Sequence, residues 1–417
     1  MPWEKVSVAK KGLIGYLADS RTTEEEIAYD LAELKELLKN IDMEAVSHVV
    51  QRRAPDLNYF FGEGKIREVK EKVREEGIEA VVFNRELSPR QVRALEDLFG
   101  EVEVWDRTQV ILEIFRRRAR SREGKIQVEL ARLTYLFPRL YGLGGMLSRL
   151  GGGIGTRGPG ETKLEVLRRT VRDRITELRR ELAEVRQNRA RLRHHRREEG
   201  IPCAVLVGYT NAGKSTLLNA LAQEGEKVLA EDRLFATLDP VSRRARLPSG
   251  RTVLVTDTVG FIKDLPPKLK EAFKATLEEL EAADLLLHVI DLTSPYLDQQ
   301  GAEVEAILEE LGLAGKPLLK VYNKLDAYSG TPPRDGVAIS ALLGVNLEGL
   351  LARVEELLFP EEEMVVHVSF AQMGVIAQFR ERIRVVEERY HPSGARLVLR
   401  GRPPDLARLK ARLGLRA

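Results

Sequence analysis

Four short stretches carry residue types whose spacing can do chemistry. Gly208 to Ser215 reads Gly-Tyr-Thr-Asn-Ala-Gly-Lys-Ser and meets G-x-x-x-x-G-K-[ST] at every fixed position. In such a loop Gly208 and Gly213 let the backbone curl, so that the N–H groups of Tyr209, Thr210, Asn211, Ala212 and the following helix start, through Thr216, face a polyphosphate. Lys214 adds a point charge, and Ser215 offers a hydroxyl to magnesium. Asp257-Thr258-Val259-Gly260 fits D-x-x-G: the carboxylate of Asp257 can hold magnesium through water, and the Gly260 N–H can meet a γ-phosphate. Asn323-Lys324-Leu325-Asp326 fits N-K-x-D, in which Asp326 accepts two hydrogen bonds from the guanine N1–H and exocyclic amine, an arrangement adenine cannot offer. Ser340-Ala341-Leu342 fits a loop closing over the base. Each tetrapeptide alone is a weak signal, and a glycine-rich turn opening a helix is the bland reading of the first. Their order and spacing along one chain remove coincidence.

Such loops need a parallel sheet behind them. Cys203 to Val207 is a short apolar segment suited to a buried strand, and Thr216 to Leu221 continues as a helix. Further strands are expected at Thr252–Thr256, Leu285–Ile290, Pro317–Tyr322 and Val337–Ile339, which places a nucleotide-binding α/β domain over 201–360.

Upstream, Thr23 opens a helical pattern with Ile27, Leu31, Leu34 and Leu38 on one face, and Thr23 with Glu26 has capping-box spacing. A strand at Ala45–Val50, a helix near Lys65–Glu76, the strand Ala80–Phe83, a helix opened by Ser88-Pro89 and the strand Val102–Trp105 imply a small parallel α/β domain over 1–106. Gly62-Glu63-Gly64-Lys65 lacks a full phosphate-loop motif and reads as a helix-entry turn. From Thr108 to Phe137 the pattern is helical. Its partner, from Lys163 to Arg197, keeps a seam of Leu164, Leu167, Val171, Ile175, Leu178, Leu182, Val185 and Leu192, with Thr162 and Glu165 at capping-box spacing. Two such helices predict an antiparallel hairpin over 107–200. Between them, residues 142–160 hold nine glycines in nineteen positions with Arg149 and Arg157, either a plain connector or a tip able to press its backbone onto RNA phosphates. Residues 361–417 read as strand, helix, a hairpin turning at His391–Gly394 and a last helix, a small α+β domain.

Composition bounds the rest. With 417 residues, 43% hydrophobic and 31% charged, the chain has material for several soluble domains. A lone cysteine, Cys203, excludes an internal disulfide framework, no apolar run reaches a membrane span and the N-terminus does not resemble a secretory signal, so a cytoplasmic protein is expected; we expect it to be a monomer. The net charge is only +3, yet residues 115–200 hold 23 Lys and Arg against 10 Asp and Glu, an excess of 13 that suggests a polyanionic partner. A solvated, ion-paired helix surface is the structural alternative.

The phosphate loop, Phe235-Ala236-Thr237-Leu238-Asp239, Asp257-Thr258-Val259-Gly260-Phe261-Ile262 and the Gly151–Thr162 segment ending Gly-Thr-Arg-Gly-Pro-Gly-Glu-Thr together resemble translation-factor-class P-loop GTPases. Within that class the resemblance is to the HflX family of ribosome-associated GTPases, in the Obg-HflX group, and it covers roughly residues 20–360. It implies GTP hydrolysis to GDP with magnesium, with Thr237 as the switch I threonine that meets magnesium and the γ-phosphate beside Lys214 and Gly260. It also implies contact of the N-terminal part and the helical arm with the large ribosomal subunit and its RNA. Asn211 resembles the loop asparagine of cation-dependent GTPases, which coordinates potassium; a loop-stabilising role is the alternative. Phe261 stands where Ras-like proteins carry a water-orienting glutamine, and it has no polar group for that task. The competing reading is an RNA-binding or RNA-remodelling factor whose nucleotide domain acts as a switch only. An ATP-driven motor is disfavoured by Asp326.

Overall fold

The computed structural model describes residues 9–142, 159–198, 200–222, 240–263, 274–380 and 382–414. Its first sheet is built around a strand that the sequence pattern had not marked. β1 (Lys10–Ala18) is buried from Gly12 onward and lies between β2 (Met43–Arg52) and β3 (Ala80–Phe83), with β4 (Glu103–Asp106) outside β3 in an all-parallel order β2-β1-β3-β4. Glycines inside KKGLIGYLA mimic turn punctuation, but Gly15 has a packing reason. A Cβ there would stand 3.0 Å from the Phe83 ring and 3.2 Å from that of Phe61.

Helix α1 (Glu24–Lys39) begins at the expected capping box: Thr23 Oγ1 accepts from the Glu26 N–H at 3.1 Å, and the Glu26 carboxylate accepts from the Thr23 N–H at 2.7 Å. α2 (Glu63–Glu75) follows Gly62, and Lys65 turns to Glu68 at 2.7 Å, so this stretch serves as the helix-entry turn. α3 (Pro89–Phe99) is capped by Ser88 and Gln91. The expected helix over Thr108–Phe137 is two helices, α4 (Arg107–Arg118) and α5 (Arg122–Leu136), because Ala119 leaves the helical region and Ser121 caps a new start by accepting from the Gly124 N–H at 2.8 Å.

α6 (Pro159–Glu198) starts before Thr162, so that residue is inside the helix and not its cap. Ile175, Leu178 and Leu182 of its seam bury against Ile126 and Leu130 of α5, while Val171 is partly buried and Leu167 stays 44% exposed. The pairs Arg122–Glu181 and Arg174–Glu129 run in opposite senses along the two helices, which makes the hairpin antiparallel. The side chains of Leu164 and Leu192 and the glycine-rich residues 143–158 lie outside the described residues.

The second sheet has six strands in the order β10-β9-β8-β5-β7-β6: β5 (Cys203–Val207), β6 (Val241–Arg246), β7 (Thr252–Asp257), β8 (Leu285–Asp291), β9 (Leu318–Asn323) and β10 (Gly336–Ala338). All neighbours are parallel except β6, an antiparallel edge strand. Helices α7 (Lys214–Leu221), α8 (Lys274–Ala282), α9 (Leu297–Glu310) and α10 (Leu347–Leu358) accompany it. The third sheet, β11 (Glu362–Val368), β12 (Ile383–His391) and β13 (Gly394–Gly401), is antiparallel in the order β11-β13-β12, with α11 (Met373–Ala377) and α12 (Pro403–Arg412) packed on one face. The fold class is thus α/β: a P-loop domain with an N-terminal α/β layer, a helical hairpin and a small C-terminal α+β unit. No helix among the described residues is long and apolar enough to cross a membrane.

Candidate nucleotide-binding site

The phosphate loop leaves the carboxyl end of β5, flanked by β8 and β7, where open α/β sheets place their ligands. Gly208 has φ +148°, and a Cβ there would fall 2.2 Å from the Val289 carbonyl oxygen, so only glycine lets the loop turn this close to β8. Gly213, at φ +90°, would place a Cβ 2.2 Å from Asn323 Nδ2.

That second contact explains how distant motifs become one site. Asn323 Nδ2 donates to the Ala212 carbonyl at 2.9 Å, and Asn323 Oδ1 accepts from the Ala341 N–H at 3.0 Å. One buried amide therefore ties the phosphate loop, the N-K-x-D stretch and the Ser340 loop together. Asp326 Oδ1 accepts from Ser340 Oγ at 2.5 Å, and Ser340 Oγ accepts from the Leu343 N–H at 3.1 Å, which fixes the carboxylate's orientation. Lys324, in left-handed backbone at φ +65°, pairs with Asp291 at 2.7 Å. Leu342 is 74% exposed on the same loop.

At the phosphate end, Lys214 Nζ donates to the carbonyls of Gly208 (3.1 Å) and Tyr209 (2.7 Å). Burial pushes this ammonium down to about 8, with Asp257 acting in the opposite sense. Ser215 Oγ donates to Asp257 Oδ2 at 2.7 Å, and Asp257 is buried at the end of β7. A hydroxyl and a carboxylate oxygen are hard donors of the kind magnesium takes. Among the described residues no group of three His, Cys, Asp or Glu could hold a metal by itself, so this pair fits an ion that draws its other ligands from phosphate and water.

The D-x-x-G segment lies directly on the phosphate loop. Phe261 N–H donates to the Gly208 carbonyl at 3.0 Å and the Thr210 N–H donates to the Phe261 carbonyl at 2.9 Å. A Cβ on Gly260 would stand 2.9 Å from both Lys214 Nζ and Thr210 Cα. Thr258 Oγ1 donates to the Leu206 carbonyl at 2.7 Å, anchoring the segment to β5. Asn211 is exposed at φ +64°, and Thr216 begins the helix beside Ser215. Thr237, with the surrounding 235–239 segment, lies outside the described residues.

Side-chain roles beyond the motifs come from the N-terminal layer. The Tyr209 hydroxyl donates to Glu33 of α1 and accepts from the Lys263 N–H at 3.0 Å. Arg107 donates to Glu33 and to the Lys263 carbonyl, the latter at 2.9 Å, and Lys263 Nζ reaches Asp30 at 2.8 Å. Burial and the neighbouring Glu33 push the Tyr209 hydroxyl well above its usual range. The only sequence-level signal of this network was a glutamate at 33, adjoining the apolar stripe of α1.

Known proteins resemble this chain over most of its length. The family model described as "GTP-binding GTPase N-terminal" matches residues 28–116, "GTP-binding GTPase Middle Region" matches 118–196 and "50S ribosome-binding GTPase" matches 203–324. The GTPase HflX of Caldanaerobacter subterraneus subsp. tengcongensis is 48% identical over 368 residues, covering 87% of this chain and 85% of the relative. The chain belongs to the HflX family of GTPases. The HflX protein of Escherichia coli K12 is 45% identical over 75% of this chain and 73% of its own length. Among solved structures, a GTP-binding protein from the archaeon Sulfolobus solfataricus in complex with GDP is 26% identical, with TM-score 0.42, covering 83% of this chain and 98% of that one. As an HflX-family GTPase, the chain is a GTP hydrolase.

Proposed function

We propose that this GTPase acts on ribosomes in the cytoplasm by binding the large subunit in a nucleotide-dependent way, hydrolysing GTP to GDP and phosphate there. The observation that carries the reading is the excess of 13 positive charges over residues 115–200, on an antiparallel hairpin that projects arginines from a buried seam. The description of its nucleotide-domain family as 50S ribosome-binding supports the same partner.

At the site, Gly208 to Thr216 cradle the phosphates, Lys214 neutralises charge between them, and the Gly260 N–H meets the γ-phosphate together with Thr237. Asn323, Lys324, Asp326, Ser340, Ala341 and Leu342 select and enclose guanine. Ser215, Asp257 and Thr237 would hold magnesium, which would supply positive charge against that developing on the phosphate oxygens. Residues so disposed act by positioning and neutralising charge. Phe261 has no polar atom for the attacking water and its ring is buried, so turnover of the isolated protein is slow and needs an added positive charge, worth roughly 10³- to 10⁵-fold when an arginine supplies it. Potassium held with the help of Asn211 would supply that charge; a loop-stabilising hydrogen bond is the other role open to Asn211. Equal turnover in potassium and sodium salts at matched ionic strength removes potassium, and fast turnover of the isolated chain in both removes the wider claim.

Sedimentation with purified subunits tests the partner. The protein should co-sediment with the large subunit more strongly with a non-hydrolysable GTP analogue than with GDP, and the complex should weaken steeply with salt as counterions return to the phosphates. Replacing 142–160 by a short turn should keep guanine nucleotide binding and lower ribosome-stimulated hydrolysis. Equal sedimentation in both nucleotide states overturns the switch, and full stimulation of the shortened protein reduces the glycine-rich segment to a connector.

A further inference from the structure

Helices cover one face of the three-stranded C-terminal sheet; on the other no described element packs, and Val398 at its centre is buried among the side chains of its own sheet. Val366, Val368, Ile383, Leu397 and Leu399 point toward α11 and α12 and form a core with Leu406 and Leu409. Strand alternation sends the intervening residues of β11 and β13 to the opposite face, where Val365 is 50% exposed. On β12 a bulge leaves Val386 unpaired and 47% exposed and keeps Glu387 on that face opposite Val398.

The pairing register arranges that open face in rows. Arg384 of β12 stands opposite Arg400 of β13, which in turn faces Glu363 of β11. One row along, Val398 faces Val365 on one side and Glu387 on the other. In the next, Arg389 stands opposite Arg396, which faces His367. Two like-charged pairs therefore sit directly across from each other, a placement that costs stability in an antiparallel sheet. Two glutamates offset it in part: Glu363 pairs with Arg400, and Glu387 takes both Arg389 and Arg396, the latter only at 3.8 Å. Arg384 stands across from Arg400, whose carboxylate partner is Glu363.

Four guanidiniums against two carboxylates leave an unbalanced positive face on a rigid sheet, and arginine forks match phosphate oxygens bidentately. We propose that this open face is a second RNA-binding surface, gripping the phosphate backbone of folded RNA through Arg384, Arg389, Arg396 and Arg400. The middle row is valine and glutamate, with no aromatic ring on which a base could stack, so the grip follows phosphates and not sequence. An acidic protein segment is the competing occupant. The proposal stands apart from the ribosomal reading, since a bare duplex is enough to test it.

The test uses the full chain and an RNA duplex of about 20 base pairs, long enough for a surface that follows phosphates across a groove. Binding is followed by fluorescence anisotropy between about 50 and 200 mM salt. Arg384→Glu with Arg389→Glu should weaken binding about tenfold and make the salt slope shallower by about one to two, because two phosphate contacts are lost. Arg384→Gln with Arg389→Gln, gentler to the fold, should shift both in the same direction by less, with GDP binding unchanged. Duplexes of different sequence should lose affinity equally. If both pairs of variants bind the duplex with wild-type affinity and slope, the proposal fails and the hairpin carries all RNA contact. If they bind duplex normally yet co-sediment poorly with large subunits, the occupant is a protein and the proposal is equally overturned.

Discussion

The Tyr209 hydroxyl, in the phosphate loop, donates to the Glu33 carboxylate on the first helix of the chain, 176 residues away. The same hydroxyl accepts from the Lys263 N–H at 3.0 Å, so loop, D-x-x-G segment and N-terminal layer meet at one oxygen. Apolar contacts follow the same route: Val259 and Ile262 join the core of the N-terminal sheet, and the Tyr29 ring packs against that of Tyr296 of the nucleotide domain, centroids 4.3 Å apart and tilted by 47°. A γ-phosphate that draws Gly260 toward itself must act on a segment already tethered to α1. With Gly260 on the γ-phosphate as proposed, nucleotide state should bear on how the N-terminal layer seats.

Removing that oxygen should loosen the joint. Tyr209→Phe leaves the Lys263 N–H without its acceptor and Glu33 with Arg107 as its strong partner, a loss of about 1–3 kcal/mol for a buried group. The expected outcome is lower stability in denaturant and faster amide exchange over 261–263, with the loop backbone intact. Wild-type exchange there would show that the hydroxyl does not hold the segment.

The carboxylate proposed to select guanine, Asp326, is oriented by Ser340 Oγ at 2.5 Å. Asp326→Asn replaces an acceptor by a donor facing the guanine N1–H, so GTP binding should weaken and preference shift toward xanthosine triphosphate, which presents a carbonyl at that edge. Competition binding measures the shift. Unchanged GTP affinity would take Asp326 out of the base site.

The motifs were legible because each fixed residue answers a local demand. Gly208 and Gly213 take φ +148° and +90°, backbone that side chains rarely adopt, and such a local demand shows in a sequence without knowledge of the fold. The capped helices at Thr23 and Ser88 were legible for the same reason. Elements whose identity is set by tertiary neighbours were not. β1 hid behind Gly12 and Gly15, whose purpose is to admit Met43, Phe61 and Phe83 against the backbone. β6 carries Arg243, Arg244 and Arg246 and pairs only as an antiparallel edge, without the apolar run that marks a buried strand. The Glu33, Arg107 and Tyr209 cluster joins residues far apart in sequence, and no local pattern encodes it.

His288, at 1% exposure within β8, should make the protein acid-sensitive. Burial pushes its imidazole down to about 4 from an ordinary 6.5, with Lys320 and Lys214 adding to the effect and Glu305 opposing it. The unfolded chain therefore takes up a proton near pH 6.5 that the folded chain refuses until about 4, and stability falls as pH drops through that window. The full effect is of order 3 kcal/mol. His288→Leu should flatten the decline between these limits in urea titrations. A parallel decline in the variant would assign the acid sensitivity to other groups.

Lys214 gives a pH signature of opposite sign in binding and in stability. In the nucleotide-free fold burial lowers its ammonium to about 8 from 10.5, so between these values the unfolded chain holds a proton that the folded chain has released. Stability of the nucleotide-free protein should therefore gain from this residue as pH rises from 8 toward 10.5. Phosphates reverse the balance: negative charge beside Nζ favours the ammonium and raises its pKa in the complex. Binding above pH 8 must then take up a proton, and affinity is full below that value and declines as pH rises toward the pKa of the complex. Calorimetry of GTP binding near pH 8.5 in two buffers of different ionisation enthalpy reads the uptake directly. A substantial fraction of a proton taken up per GTP, together with rising stability of the free protein, is the expected pair of results. Binding with no proton uptake would mean that Lys214 is already fully charged in the empty loop, held by the carbonyls of Gly208 and Tyr209.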